Sequence, residues 1–416
     1  MIRSGAAGVE GKVPVIVVLA GAMAAAAGGP SEIHLGPVTL SSLLTLATGA
    51  SLVALSPLLV RRHGRALSLA LVGLLVLAAV RSPLEVTRDG LQNLLAYAIL
   101  VLTPAFAARA VLERGDPASV ERTADGVVRH LARWSLVAAA AFAAQLATGL
   151  WPDGTRSFAL AALPLLAAAI MDRTPTLLAR LAPFIVVTLV IASLSRTASV
   201  LALLMLAGVA FRRVPGRRAA AGLGLGLIVV TATLATVLAV PALRERFTSG
   251  DNASIGGVSV NTSGRSALWE ALWVRLDDAP LLGHGAGAAA ELVTTLFPGN
   301  RQPHNEYLRL AYDLGGIGLA LFVLGSVVLL VRVARRTRSS GHPVHAAALL
   351  ALIALLASAV TDNTFIYPFA TLPTAVLVGT SCALGLPAPV RDRPALRAHT
   401  TTLIQERTPH DVRTRP

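Results

Sequence analysis

Apolar runs of roughly 15 to 26 residues follow one another along nearly the whole 416-residue chain, and a run of that length is what a helix needs to cross a ~30 Å hydrocarbon layer. Twelve such intervals stand out: 13–29, 37–60, 66–80, 91–112, 134–151, 157–171, 175–194, 198–211, 219–241, 307–331, 344–360 and 368–386. A soluble chain would be about a quarter charged, whereas this one is 14% charged and 54% hydrophobic. The pattern predicts an all-α polytopic membrane protein of about twelve transmembrane helices, with the lipid bilayer as its solvent.

The net charge of +14 is almost entirely arginine, Lys12 being the sole lysine. Nucleic-acid binding would need basic residues gathered on one solvated face with stacking aromatics. Here they form short clusters between apolar runs, so nucleic acid is not an expected partner. Counted over alternate loops and both termini, basic residues number 26 on one side and 10 on the other. By the positive-inside rule the richer side is cytoplasmic, and it contains both termini. Residues 1–27 also fit a secretory signal, with Arg3 and Lys12 ahead of an apolar run, but read better as a signal anchor. The single cysteine, Cys382, lies in an apolar run, so no intrachain disulfide is available.

Two connections depart from the tight links elsewhere. The stretch near 113–133 mixes Glu113, Asp116, Glu121 and Asp125 with arginines and reads as a solvated helical linker on the cytoplasmic side. The other, 242–306, is external, and a connection of that size is usually functional. It begins polar. Then Arg265 to Leu276 takes helical spacing, with Trp269, Leu272, Trp273 and Leu276 on one face. Such a helix either lies in the interface plane or packs on its neighbours. Asp277-Asp278 comes next, but adjacent helical positions do not face each other and no third ligand is near, so no metal is expected there. Gly283-His284-Gly285-Ala286-Gly287 has no predicted strand before it and reads as a tight turn between helices rather than a phosphate loop.

The strongest signal closes the loop. His304-Asn305 stands at the mouth of an apolar helix that carries Gly315-x-x-Gly318, a spacing that lets another helix approach closely. Arg196, in Leu194-Ser195-Arg196-Thr197, interrupts the apolar sequence at a very short external turn. An arginine near membrane depth costs about 2.5–3.5 kcal/mol on insertion scales and marks a functional site by default.

These residues resemble the O-antigen ligase and polysaccharide polymerase family. The similarity is carried by Ser195-Arg196 at a helix mouth, Gly264-Arg265-Ser266 opening the loop helix, Pro280-Leu281-Leu282-Gly283-His284-Gly285, His304-Asn305 with Gly315-x-x-Gly318, and Asp362 after the eleventh span; it is best over about 190–385. The resemblance implies a polytopic fold like that of the type C membrane glycosyltransferases, at the outer face of a bacterial cytoplasmic membrane. It implies transfer of a glycan from an undecaprenyl-diphosphate carrier to a glycan, lipid or protein acceptor, without metal or other cofactor. Arg196 and Arg265 would bind the carrier diphosphate, His304 would stand beside the acceptor, and Asn305 would orient either group or cap the helix. Ligases of the family often carry Arg-x-x-x-Leu where Val200 stands here, which leaves ligase and polymerase both open.

The chemistry agrees on independent grounds. Displacing a lipid diphosphate from an anomeric carbon leaves charge on the departing oxygens, which fixed cationic donors can stabilise. Guanidinium stays charged and offers a fork of donors to phosphate. A histidine, with an unperturbed pKa near 6.5, suits the proton of the attacking hydroxyl. The competing reading is a twelve-span transporter or lipid-carrier flippase. A major-facilitator carrier, however, would have Gly-x-x-x-Asp-Arg-x-Gly-Arg around Arg61-Arg62-His63-Gly64-Arg65, where Pro57 and Arg61 replace the glycine and aspartate.

The expected organisation is therefore an N-terminal bundle over 1–241, an external loop over 242–306 with a periplasmic-side helix, three spans over 307–386, and a basic cytoplasmic tail over 387–416. The topology is testable by thiol labelling after Cys382→Ser. Ile255→Cys should react with a membrane-impermeant reagent in intact cells stripped of any outer barrier, and Asp125→Cys should not. The reverse pattern overturns the orientation.

Overall fold

The computed structural model describes residues 13–384 apart from 28, 30–32, 36–37, 64–67, 83–87, 150–154, 213–251, 256–257, 262–264 and 301. The expected span 219–241 and the tail 387–416 lie outside the described residues. Eight helices come first: α1 (Val15–Ala26), α2 (Leu40–His63), α3 (Leu69–Val80), α4 (Arg88–Leu112), α5 (Pro117–Thr148), α6 (Thr155–Met171), α7 (Leu177–Ala192) and α8 (Arg196–Arg212). Further along the chain come α9 (Arg265–Trp273), α10 (Ala288–Leu296), α11 (Glu306–Ser339), α12 (Pro343–Ser358) and α13 (Pro368–Ala383). Eleven of the twelve expected apolar intervals thus coincide with helices.

Among the described residues, four helical stretches are by themselves long and apolar enough to cross a membrane: Leu40–Pro57, Asp89–Leu112, Pro117–Thr148 and Glu306–Ser339. The other apolar helices are shorter, down to 12 residues, a rise of about 18 Å against a layer of ~30 Å.

The all-helical expectation needs one amendment. Two short antiparallel hairpins occur, His34–Leu35 with Val38–Thr39 and Asn252–Ile255 with Val258–Asn261. In the second, Asn252 pairs with Asn261 and Ile255 with Val258. The stretch expected as a solvated linker is also corrected: 113–116 is a brief turn, and the remainder is the first half of one 32-residue helix. Asp116 caps it by accepting from Ser119 N at 2.9 Å, Pro117 occupies the first position, and no proline intervenes before Gly149 in the left-handed region. Val120, Ala124, Val127, Val128 and Leu131 bury one face of the supposed linker.

The core is built around α6 and α13. Every residue of α6 from Phe158 to Ile170 is buried, as is every residue of α13; helices apolar all round belong at a centre. α13 packs on α4, α12 and α6. Its approach to α4 is close enough that a Cβ on Gly379 would meet the Pro104 carbonyl oxygen at 2.3 Å.

α11 is not continuous. Gly315 has φ 66° and ψ −173°, an interruption only glycine accepts readily. The segment 280–285 docks into this break. Gly316 N donates to Pro280 O at 2.8 Å and Ile317 N to Leu281 O at 3.2 Å; His284 N and Gly285 N donate to Tyr312 O and Asp313 O, both at 2.9 Å. Arg81, just past α3, donates to Gly283 O at 2.8 Å. The Gly315-x-x-Gly318 spacing therefore serves a loop clasp at Gly315 rather than helix–helix packing, and the atoms nearest a Cβ on Gly318 belong to Leu314 of its own helix. The glycine-rich stretch is, as expected, a turn between helices.

Two glycines separate backbone strain from contact. Gly149 has φ 68° with open space around it, whereas a Cβ on Gly315 would lie 2.2 Å from Leu281 backbone atoms. Gly149→Ala should cost about 1–2 kcal/mol, the left-handed penalty alone. Gly315→Ala should cost about 3–5 kcal/mol, adding overpacking to that strain. Thermal unfolding of the two variants in detergent checks this, and equal midpoint losses would refute the clasp.

Candidate active site

The connection between α12 and α13 gathers residues from four other segments. Thr361 O accepts from Arg265 Nη1 at 2.6 Å, and its hydroxyl meets that of Thr197 at 2.7 Å. Asp362 Oδ2 pairs with Arg156 Nε. Asn363 Nδ2 donates to Gln302 Oε1 at 3.4 Å. Three consecutive residues thereby tie together the mouths of α6 and α8, the start of α9 and the stretch before α11.

His304 lies at the centre. Its Nδ1 is 3.0 Å from Arg156 Nη2 and 3.9 Å from Asp362 Oδ1. Its backbone has φ 56°, and Leu194, two residues before Arg196, has φ 60°; among the described residues these are the two non-glycine positions with positive φ. Such strain persists where surrounding structure enforces it and concentrates at functional sites. The enforcement is visible: Asn305 caps α11 by accepting from Leu308 N at 3.1 Å, Glu306 N donates to Ala359 O, and Trp269 Nε1 donates to Pro303 O at 2.7 Å.

That tryptophan settles the character of the loop helix. Leu268 and Leu272 are buried, and Leu272 packs with Ala289, Leu308 and Tyr312, with Trp269 and Leu276 alongside. α9 is thus packed on its neighbours. Trp273, expected on the same face, is instead 69% exposed. Asp277 and Asp278 are exposed in a 3-10 turn, and among the described residues no three His, Cys, Asp or Glu side chains gather as metal ligands.

The site is a concentration of positive charge. Burial, then the charges of Arg156 and Arg196, pull the Arg265 pKa down to about 10, with Asp362 opposing. Burial would raise the Asp362 carboxyl, but Arg156 and His304 hold it below its usual range. Burial and the guanidinium groups of Arg156 and Arg265 lower His304 below its ordinary value despite Asp362. His304 is therefore neutral at pH 7. Arg196 acts on Arg265 and Arg265 on His304, so the structure brings the three into one neighbourhood across 108 residues of sequence.

A second charged group stabilises this end of α11. Glu306, Arg309 and Asp313 share one face and are wholly buried. Arg309 pairs with Glu306, lies 3.5 Å from Asp313 Oδ2 and donates to Tyr97 OH at 2.7 Å. Asp313 accepts from Gly287 N and Ala289 N at 3.2 and 2.7 Å, capping α10. The sequence motifs point to neither this group nor Arg156, and to Asp362 only through the family resemblance. Charged residues spaced i, i+3, i+7 in an apolar helix, and an arginine at another external helix mouth, are the signals that could have found them.

Fold and site together define a helical membrane protein with a cationic cluster where several helices open at one end. Residues 181–323 match the O-antigen ligase family, so over that segment, about a third of the chain, the protein is O-antigen ligase-like. The match supports glycan transfer of the ligase or polymerase type in general terms. It includes Arg196, Arg265 and His304, and excludes Arg156 and Asp362. No curated protein matches the chain.

The lowered His304 pKa has a definite sign. The unfolded chain binds a proton near pH 6.5 that the folded site resists, so this residue's contribution is fully present above about 6.5 and lost as pH falls toward the folded value. Unfolding midpoints of wild type and His304→Gln should hold a constant difference above pH 7 and shift in favour of the variant below 6. A difference independent of pH would remove the buried neutral histidine.

Proposed function

We propose that the protein transfers a glycan from an undecaprenyl-diphosphate-linked donor to an acceptor hydroxyl at the outer face of the bacterial cytoplasmic membrane, with both termini in the cytoplasm. The observation that carries this is the gathering of Arg156 and Arg265 about the Asp362 carboxylate beside His304, with Arg196 acting on Arg265, largely within the ligase-like segment. Arg196 and Arg265 hold the diphosphate. The acceptor oxygen attacks the anomeric carbon, the carbon–oxygen bond to the diphosphate breaks with its electron pair, and the arginines stabilise the charge that accumulates there. His304 takes the hydroxyl proton and later yields it to water. Asn305 contributes by capping the helix beside it.

The reaction needs no metal in this reading, because guanidinium groups occupy the place of a cation and the central carboxylate is engaged by Arg156. The organisation is then an N-terminal bundle over 1–241, an external loop over 242–306 supplying Arg265 and His304, and spans over 307–386 supplying Asp362.

Transfer from a synthetic carrier-linked donor by the purified protein tests the assignment. Arg196→Ala and Arg265→Ala should each lower turnover about 10²–10³-fold, the scale of losing one fixed donor. Lysine should restore part of it, retaining charge without the fork. His304→Ala should cost about 10²–10⁴-fold, with donor binding nearly intact. Arg275→Ala should be mild, since that guanidinium bonds the Ala271 carbonyl of its own helix. Activity should survive chelation. Wild-type rates in folded Arg265→Ala and His304→Ala would remove the site, and loss on chelation restored by magnesium would remove the arginine mechanism.

A further inference from the structure

The contact between Arg156 and His304 has a chemical consequence. A guanidinium has donors and no acceptor, so at 3.0 Å from Arg156 Nη2 the Nδ1 atom must present its lone pair. The neutral ring then carries its proton on Nε2, and that nitrogen cannot accept one from a hydroxyl. Asp362 Oδ1, at 3.9 Å, is beyond hydrogen-bonding distance of Nδ1 and is bonded by Asn363 N at 2.8 Å. The folded site therefore holds His304 in the tautomer unsuited to act as a base through Nε2.

We propose that Arg156 is a positioning residue that keeps His304 in this silent tautomer until the donor diphosphate arrives. The inference rests on the diphosphate and base assignments above. Arg156 holds Asp362 through Nε and His304 through Nη2, so the two contacts are separable. Diphosphate oxygens, more strongly accepting than an imidazole nitrogen, draw Nη2 away while Nε stays on Asp362. Nδ1 takes a proton from water and points the new N–H at Asp362 Oδ1 in a hydrogen bond, Nε2 returns one to water, and the ring stays neutral. Nε2 now has the lone pair the acceptor hydroxyl needs. The base is switched on by the substrate whose leaving group it serves, which disfavours activating a hydroxyl or water before a donor is present. The charged groups facing the ring are Arg156 from α6, Arg265 from α9 and Asp362 from the α12–α13 connection, with Arg196 of α8 acting on Arg265.

Nitrogen-15 spectra of the full-length protein in lipid nanodiscs, labelled at histidine, read the tautomer directly. The His304 signals are identified by their loss in His304→Gln. The probe is farnesyl diphosphate, and its phosphorus-31 signals report binding. Without probe, Nδ1 should fall in the unprotonated range and Nε2 in the protonated range; with probe bound, the two should exchange. Arg156→Met should show the exchanged pattern without probe, and Arg156→Lys, whose ammonium also donates, should restore the wild-type pattern. A protonated Nδ1 in the free wild type overturns the proposal, as does a bound probe that leaves the pattern unchanged. A probe that does not bind overturns the diphosphate assignment and this inference with it, whereas binding without exchange overturns this inference alone. If Arg156→Met fails to fold, the wild-type spectra with and without probe still decide.

Discussion

The site depends on one buried carboxylate. Asp362 is 5% exposed; it pairs with Arg156 of α6 and offsets the repulsion that Arg265 of α9 meets from Arg156 and from Arg196 of α8. Breaking a buried pair by removing one partner is far more destabilising than the pair is stabilising, because an uncompensated charge is left behind. Asp362 is thus less a source of stability than the condition for assembling the other charges. Its backbone neighbours extend that function: Thr361 takes Arg265 and Thr197, and Asn363 takes the segment before His304.

His304 must be held in strained backbone beside those groups, and the rigidity comes from α11. Its first turns are fixed on one side by the buried Glu306–Arg309–Asp313 group with Tyr97 of α4. On the other side the 280–285 segment is clasped into the break at Gly315. Asp313 belongs to both devices, since its carboxylate pairs with Arg309 and its backbone carbonyl accepts from Gly285 N, while the same carboxylate caps α10. Buried charge in an apolar helix is expensive, and here it couples the helix carrying the histidine to the loop carrying Arg265.

Much of this architecture is legible in the sequence because apolar run length reports burial in lipid directly, which is why eleven of the twelve intervals coincide with helices. Arg196, Arg265 and His304 are legible because a polar residue at a helix mouth violates the pattern around it. Arg156 is less so: it comes after Trp151-Pro152-Asp153-Gly154-Thr155, where a basic residue at a loop end is ordinary, and its partner is 206 residues away. Periodicity carries no information about such pairings. The fate of the 113–133 stretch has the same origin. Its charges mark one solvated face, while the opposite face, with Val120, Val127 and Leu131, buries against the bundle. Gly315-x-x-Gly318 fits a helix-packing rule, yet only the backbone conformation reveals that the first glycine serves a break.

The cationic cluster is electrostatically unfavourable in itself. Arg265 titrates at about 10 because it is buried near two other guanidinium groups, so the folded chain retains its charge at a cost throughout the physiological range. An anion entering the cluster relieves that repulsion, and in the proposed reaction the relief grows as charge moves onto the departing diphosphate oxygens. Binding energy of this kind is realised most fully in the transition state, which is what accelerates a reaction rather than merely tightening substrate binding. A cation placed for stability alone would be fully compensated by its neighbours in the fold. Arg265 is compensated only in part, and that deficit, maintained by α11 and the Asp362 connection, is the physical property that links this fold to the anionic leaving-group chemistry proposed for it.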